Sequence, residues 1–167
     1  NLKPESIRKE VDDSLTRLGV DVIDLYQIHW PDANTPLEDT LNEMVKLRDA
    51  GKIRYIGVSN FDRKLMEEAA SITEIVSLQP QYSLLDREIE KDILPFCREK
   101  GIGILTYGSL GGGILTGKFK ERPQFDKDDR RENFYPFFKE PLWSKAMELV
   151  EVLRQIAAEV DKPVAHV

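Results

Sequence analysis

Apolar positions along the chain recur with two spacings, one helical and one extended. Ile7, Val11, Leu15 and Leu18 fall at helical spacing behind Pro4, which suits a first helical turn, and Gly19 ends the run. Val22 to Ile28 is short and rich in branched residues, which predicts a strand. Thr35-Pro36-Leu37-Glu38 reads as a capping box with proline at the first helical position. Leu41, Met44, Val45 and Leu47 form the stripe of that helix, and Gly51 stops it. Ile53 to Val58 predicts the next strand, and Leu65, Met66, Ala69 and Ala70 a short helix. Ile75 to Leu78 is a third strand. Ile89, Ile93, Leu94 and Phe96 mark a helix closed by Gly101, and Ile102 to Thr106 is a fourth strand. Leu142 to Val160 is a long amphipathic helix carrying Leu149, Leu153 and Ile156.

Strands reached only through helices must run parallel, joined by right-handed crossovers. The fold class is therefore α/β, either an open doubly wound sheet or a barrel. Gly111 to Glu140 breaks the rhythm with glycine, proline, aromatic residues and the charge run Asp126 to Glu132. A loop this long in a compact domain points to a lid over a ligand, with a solvated insertion as the alternative. The 167 residues suffice for one domain, with residues 111–140 as a lid within it. The chain opens on a helix that should follow a strand, and it closes on what reads as the start of another helix. A complete eight-stranded barrel takes about 250 residues. The expectation is thus an incomplete barrel, a fragment or a chain that pairs with another piece.

Composition narrows the function classes. The net charge of −6 is spread along the chain, and nothing suggests the basic face that nucleic acid needs. No apolar run approaches the roughly 20 residues of a membrane span, and Asn1-Leu2-Lys3-Pro4 is not a signal peptide. The single cysteine, Cys97, lies among Ile93, Leu94 and Phe96, so it reads as a buried core thiol in a reducing, cytoplasmic setting. No metal site is expected.

The chemistry sits where the strands end. The first finishes at Gln27-Ile28-His29-Trp30-Pro31 and the second at Val58-Ser59-Asn60-Phe61. The third finishes at Gln79-Pro80-Gln81-Tyr82 and the fourth at Tyr107-Gly108-Ser109. Ligands bind at the carboxyl rim of a parallel sheet. An imidazole, a hydroxyl, two amides and a phenol at four successive strand ends indicate a built site. Gly112 to Lys118 has the spacing of a P-loop, but Phe119 stands where a Ser or Thr should bind Mg²⁺, and Arg122-Pro123 follows at once. Nucleotide hydrolysis is not expected.

These segments resemble the aldo-keto reductases, in order and over nearly the whole chain. Ile23 to Asp32 looks like the fourth barrel strand of that family, and Lys52 to Phe61 like the fifth, the most diagnostic segment. Gln79 to Leu85 is similar to the sixth strand, and Tyr107 to Lys118 to the seventh and its loop. Phe125 to Arg130 is similar to a bacterial branch. The resemblance implies an incomplete (β/α)8 TIM barrel of about four βα units. It also implies hydride transfer between NADP and an aldehyde or ketone, with NAD the other nicotinamide to consider.

Residue by residue, the resemblance makes His29 the active-site histidine, which orients the carbonyl, and Trp30 a wall of the substrate pocket. Ser59, Asn60 and Gln79 match the residues that hold the nicotinamide carboxamide; a Ser-Asn pair before a helix is also an ordinary cap. Tyr107 matches the aromatic that stacks on the nicotinamide, the alternative being a core tyrosine. Gly108, Ser109, Leu110, Gly111 and Gly113 match the pyrophosphate loop, and Lys118 is a candidate phosphate contact. Arg130 or Arg131 is a candidate for the adenosine end, against a solvated charge run. At Gly108-Ser109 the chain departs from the family's usual Ser-Pro, which leaves backbone rather than side-chain contacts to phosphate.

The family's aspartate, tyrosine and lysine lie on strands before the fourth, and this chain begins after them. The chain alone is therefore expected to lack reductase turnover. Two other functions stay open: a nicotinamide-binding regulatory module, and a half-barrel that pairs with its own copy or a complementary half. His29 favours the enzyme. The expected partner is a small carbonyl compound, without nucleic acid or membrane.

Overall fold

Each strand is bounded by a helix stop or a cap, so the fold follows the punctuation of the chain. A computed structural model describes residues 1–167 as two compact units. One comprises Asn1–Pro80 with Ile89–Thr106, the other Gln81–Glu88 with Tyr107–Val167.

The first unit contains the whole sheet. Strands β1 (Ile23–Ile28), β2 (Ile53–Ser59), β3 (Ser77–Gln79) and β4 (Gly103–Ile104) are parallel neighbours in that order. Helix α1 (Pro4–Leu18) precedes β1, and α2 (Leu37–Asp49), α3 (Arg63–Ile72) and α4 (Ile93–Lys100) provide the crossovers that parallel strands require. This is the repeat of an incomplete (β/α)8 TIM barrel, and the chain carries four of its strands. Gly19 and Gly101 end α1 and α4 in the left-handed conformation (φ 67° and 69°).

Register sorts the side chains into rows. Ile28, Val58, Leu78 and Ile104 form one row. They share a core with Leu41 and Met44 of α2, Met66 of α3 and Phe96 of α4. The adjacent row is Gln27, Gly57, Ser77 and Gly103, and the pleat turns it to the opposite face. Cys97 is fully buried, as its apolar neighbours implied.

Several boundaries differ from the sequence reading. The box at Thr35-Pro36 does not form: Pro36 caps α2 without a side-chain bond, and the Thr35 hydroxyl donates to Asp32 Oδ2 (2.9 Å). The carboxylate, a strong acceptor, turns the hydroxyl back into the preceding loop. Ser59-Asn60 is not the cap of α3 either. That cap is Asp62, which accepts from Leu65 N (2.8 Å). Strands β3 and β4 are shorter than expected: Gly103 N donates to Val76 O, just before β3, and Leu105 N to Leu78 O within it.

The second unit is built around aromatic rings. It contains the 3₁₀ segment Gly111–Thr116, helix α5 (Arg131–Phe134) and helix α6 (Leu142–Glu159). Phe138 is fully buried; Phe125 meets it edge-on at 4.8 Å, and Trp143 stacks on it at 6.2 Å. The irregular stretch after Gly111 thus supplies much of this unit's core. The buried stripe of α6 is Trp143, Ala146, Val150, Leu153 and Ala157, while Ile156 is exposed. Of the three residues that the sequence picks out on this helix, Leu153 thus faces the core and Leu149 is half-buried.

A Cβ added at Gly57 would lie 2.2 Å from Ser77 Oγ and 3.0 Å from Gln27 Cγ. Gly57→Ala is therefore expected to cost about 1–3 kcal/mol through overpacking, read as a lower urea midpoint. Adding Ser77→Ala should recover part of that loss; strict additivity of the two losses would contradict the clash.

Candidate functional site

In the first unit the parallel register brings three strand ends to one rim. Ser59 pairs with Gln79 across β2 and β3, and Ile28 pairs with Val58 one step earlier. Past Ser59 the backbone turns at Asn60, whose φ of 60° lies in the left-handed region. Asparagine tolerates that region better than most side chains. The turn aims its amide sideways, so that Nδ2 donates to His29 O (2.9 Å) and Ser59 Oγ (3.1 Å). Ser59 is buried, and its hydroxyl donates to Gln79 O (2.7 Å). Four of the residues singled out in the sequence, His29, Ser59, Asn60 and Gln79, are thereby linked by hydrogen bonds.

His29 and Trp30 are both exposed, with ring centroids 6.2 Å apart. Both line an open cavity of about 720 Å³, together with Tyr26, Gln27, Pro31 and Met44. Ser59, Asn60 and Gln79 are not among its walls. The loop after Trp30 is held by Asp32, whose carboxylate accepts from Asn34 N (3.0 Å), Leu2 N (3.2 Å) and the Thr35 hydroxyl. These bonds, led by that from Asn34, lower its pKa to about 2.

In the second unit Tyr107 is half-buried. It forms a parallel bridge with Gln81, and its ring lies 6.3 Å from that of Phe134. Burial raises the phenol pKa, with Tyr135 and Asp86 adding to the effect. After it the chain needs glycine: Gly108, Gly111, Gly112 and Gly113 all have positive φ. At Gly112 a Cβ would come within 2.9 Å of the Tyr135 ring. Gly111 N donates to Gly108 O and Gly113 N to Leu110 O, so these two amides bond within the loop. Ser109 and Leu110 are exposed. Lys118 is exposed as well, its Nζ 4.8 Å from the centre of the Phe119 ring. It opens no helix, which removes the P-loop reading.

Arg131 is not a free cation in a solvated run. Its guanidinium forks onto Asp129 (2.5 Å at the closest) and lies 4.7 Å from the Phe125 ring. Those bonds from Arg131 lower the Asp129 pKa to about 2. Arg130 is exposed.

The Aldo/keto reductase family model matches residues 1–167. The chain belongs to the aldo/keto reductase family. It is 44% identical over 161 residues to the aldo-keto reductase YhdN of Bacillus subtilis, covering 96% of this chain and 48% of that protein. It is 45% identical over 120 residues to an NADH-specific methylglyoxal reductase of Escherichia coli, covering 70% of this chain and 37% of that protein. A glycerol dehydrogenase structure from Gluconobacter oxydans superposes with a TM-score of 0.90 at 42% identity. That match covers 98% of this chain and 50% of the other. This aldo/keto reductase chain therefore spans about half the length of such relatives.

The sequence pattern assigns no role to two residues that the structure ties into the site. Asp32 carries no signal beyond its place after Pro31. Gln27 does carry one, a polar side chain at a strand position facing away from the helices. A carboxamide needs both donors and acceptors; at the rim the Ser59 hydroxyl and the Asn60 Nδ2 group already donate within the protein, to Gln79 O, His29 O and Ser59 Oγ.

The lowered pKa of Asp32 carries a sign. Its bonds lend stability above the ordinary carboxylate value near 3.8, and that stability is lost as pH falls through about 2. Urea midpoints of wild type and Asp32→Asn should differ at pH 5, with wild type the more stable, and converge below pH 2. A gap that persists at the acid end would contradict the assignment.

Proposed function

We propose that the protein carrying this chain is a carbonyl reductase that transfers hydride between NADP and a small aldehyde or ketone. The observation that carries the reading is the hydrogen-bonded group His29, Asn60, Ser59 and Gln79 at the carboxyl ends of adjacent parallel strands. Their order is the one that the family resemblance assigns. Similarity to proteins named methylglyoxal reductase and glycerol dehydrogenase supports a carbonyl–alcohol conversion.

A bound nicotinamide supplies the hydride. In this reading His29 donates a hydrogen bond to the carbonyl oxygen, a role suited to an imidazole near neutral pH. Trp30 gives the substrate an apolar wall. Ser59, Asn60 and Gln79 hold the carboxamide and so fix which ring face is presented. In the second unit Tyr107 stacks on the ring. The segment Gly108, Ser109, Leu110, Gly111 and Gly113 meets the pyrophosphate along with Lys118, although the Gly111 and Gly113 amides already donate to Gly108 O and Leu110 O and so do not reach it as they stand, and residues 111–140 act as the lid. Arg131 reaches the adenosine end on exchanging Asp129 for phosphate. The aspartate, tyrosine and lysine that complete the chemistry come from outside these 167 residues, so the chain by itself does not turn over.

In the full-length protein, NADPH oxidation with a small aldehyde should follow enzymatic kinetics. His29→Ala should lower kcat/KM by about 10²–10⁴-fold with NADP binding retained in fluorescence titrations. Unchanged turnover in that variant removes His29 from the mechanism. Faster turnover with NADH than with NADPH assigns the cofactor to NAD. Comparable turnover by the isolated 167 residues overturns the claim that they are incomplete.

A further inference from the structure

Below the rim, one pleat into the sheet, three polar side chains meet across a glycine. Gln27 on β1, Gly57 on β2 and Ser77 on β3 are register partners. Because Gly57 lacks a Cβ, Gln27 crosses β2. Its Nε2 donates to Ser77 Oγ (3.3 Å) and to Val58 O (3.4 Å). Both partners are acceptors for that nitrogen, so the Gln27 amide is oriented with Oε1 on its other side. Oε1 accepts from Gln79 Nε2 (3.4 Å). No buried side-chain polar atom is left without a partner, and a fully satisfied network of this kind holds one orientation.

We infer that Gln27 is a positioning residue: by taking a hydrogen bond from Gln79 Nε2, it turns the Gln79 amide so that Oε1 is presented to the cofactor as an acceptor. The inference rests on the assignment of Gln79 to the nicotinamide carboxamide. An acceptor there recognises the carboxamide NH₂ and disfavours a ring substituent that has a carbonyl but no N–H. Gly57 and Ser77 belong to the device, the first by its missing Cβ and the second by its hydroxyl.

The test compares binding of NADP and of its 3-acetylpyridine analogue, in which CH₃ replaces NH₂, to the full-length protein by fluorescence titration. The nicotinamide form should bind more tightly to wild type. Gln27→Met keeps the length of the side chain but removes the amide. It should reduce the preference by about three- to tenfold, the size of one neutral hydrogen bond, mainly by weakening NADP. Ser77→Ala, a smaller change, should reduce it in the same direction and covers the case in which Gln27→Met does not fold. A wild type that binds neither form defeats the cofactor reading itself. A wild type that discriminates, with an undiminished preference in a folded Gln27→Met or Ser77→Ala protein, overturns the role of Gln27 and leaves the cofactor reading standing. Equal loss of affinity for both forms also overturns it, because general loosening of the sheet has that effect and amide orientation does not.

Discussion

Parallel register in the first unit is the constraint on which the remaining features rest. Pairing Gln27 with Gly57 and Ser77, and Ser59 with Gln79, decides which side chains share a row and which row reaches the rim. A slip of one residue would exchange the two faces of a strand. It would bring Ile28, Val58 and Leu78 to the polar face and turn glutamine and serine into the helix-packed core. The apolar row resists that slip, since Val58 and Leu78 are fully buried against the helices. Burying such side chains contributes about 1.5–3 kcal/mol each.

The polar row depends on the same register for a different reason. Gln27 and Ser77 stand on strands that do not touch, and only the empty side of Gly57 lets them bond. Above them Asn60 ties the end of β1 to the end of β2. The rim is therefore held by directional bonds between strand ends, on a sheet held by apolar packing. Rigid placement of this kind suits residues that must meet a ligand in one geometry.

The second unit reaches order by other means. Its core is a set of edge-to-face and stacked rings around Phe138, with Phe119 and Phe125 drawn from the irregular stretch and Trp143 from α6. The glycines at 108 and 111–113 fold a tight turn against Tyr135 and Lys118. Arg131, which a linear reading places in a solvated charge run, has both a carboxylate and a ring for company. Phosphate binding by Arg131 would replace one anion by another rather than fill an unmet charge.

Much was legible in the residues themselves. Helix stripes, glycine stops and branched strands predicted the alternation, and a parallel sheet follows because crossovers leave no other pairing. The composition of the strand ends, with His29, Ser59, Asn60 and Gln79, marked the rim. Local pattern fixes these because periodicity and turn chemistry act over a few residues. Tertiary structure alone decided that Asp62 rather than Ser59-Asn60 caps α3, and that Thr35 bonds backwards to Asp32. It also decided that α6 turns Trp143, Ala146, Val150, Leu153 and Ala157 to the core and Ile156 to the outside, and that Gln27 reaches Gln79. Asp62 and Thr35 each bond three residues away, so there the folded backbone turn chose among several competent local partners, whereas Gln27 meets Gln79 only because packing and register bring together strands 52 residues apart in the chain.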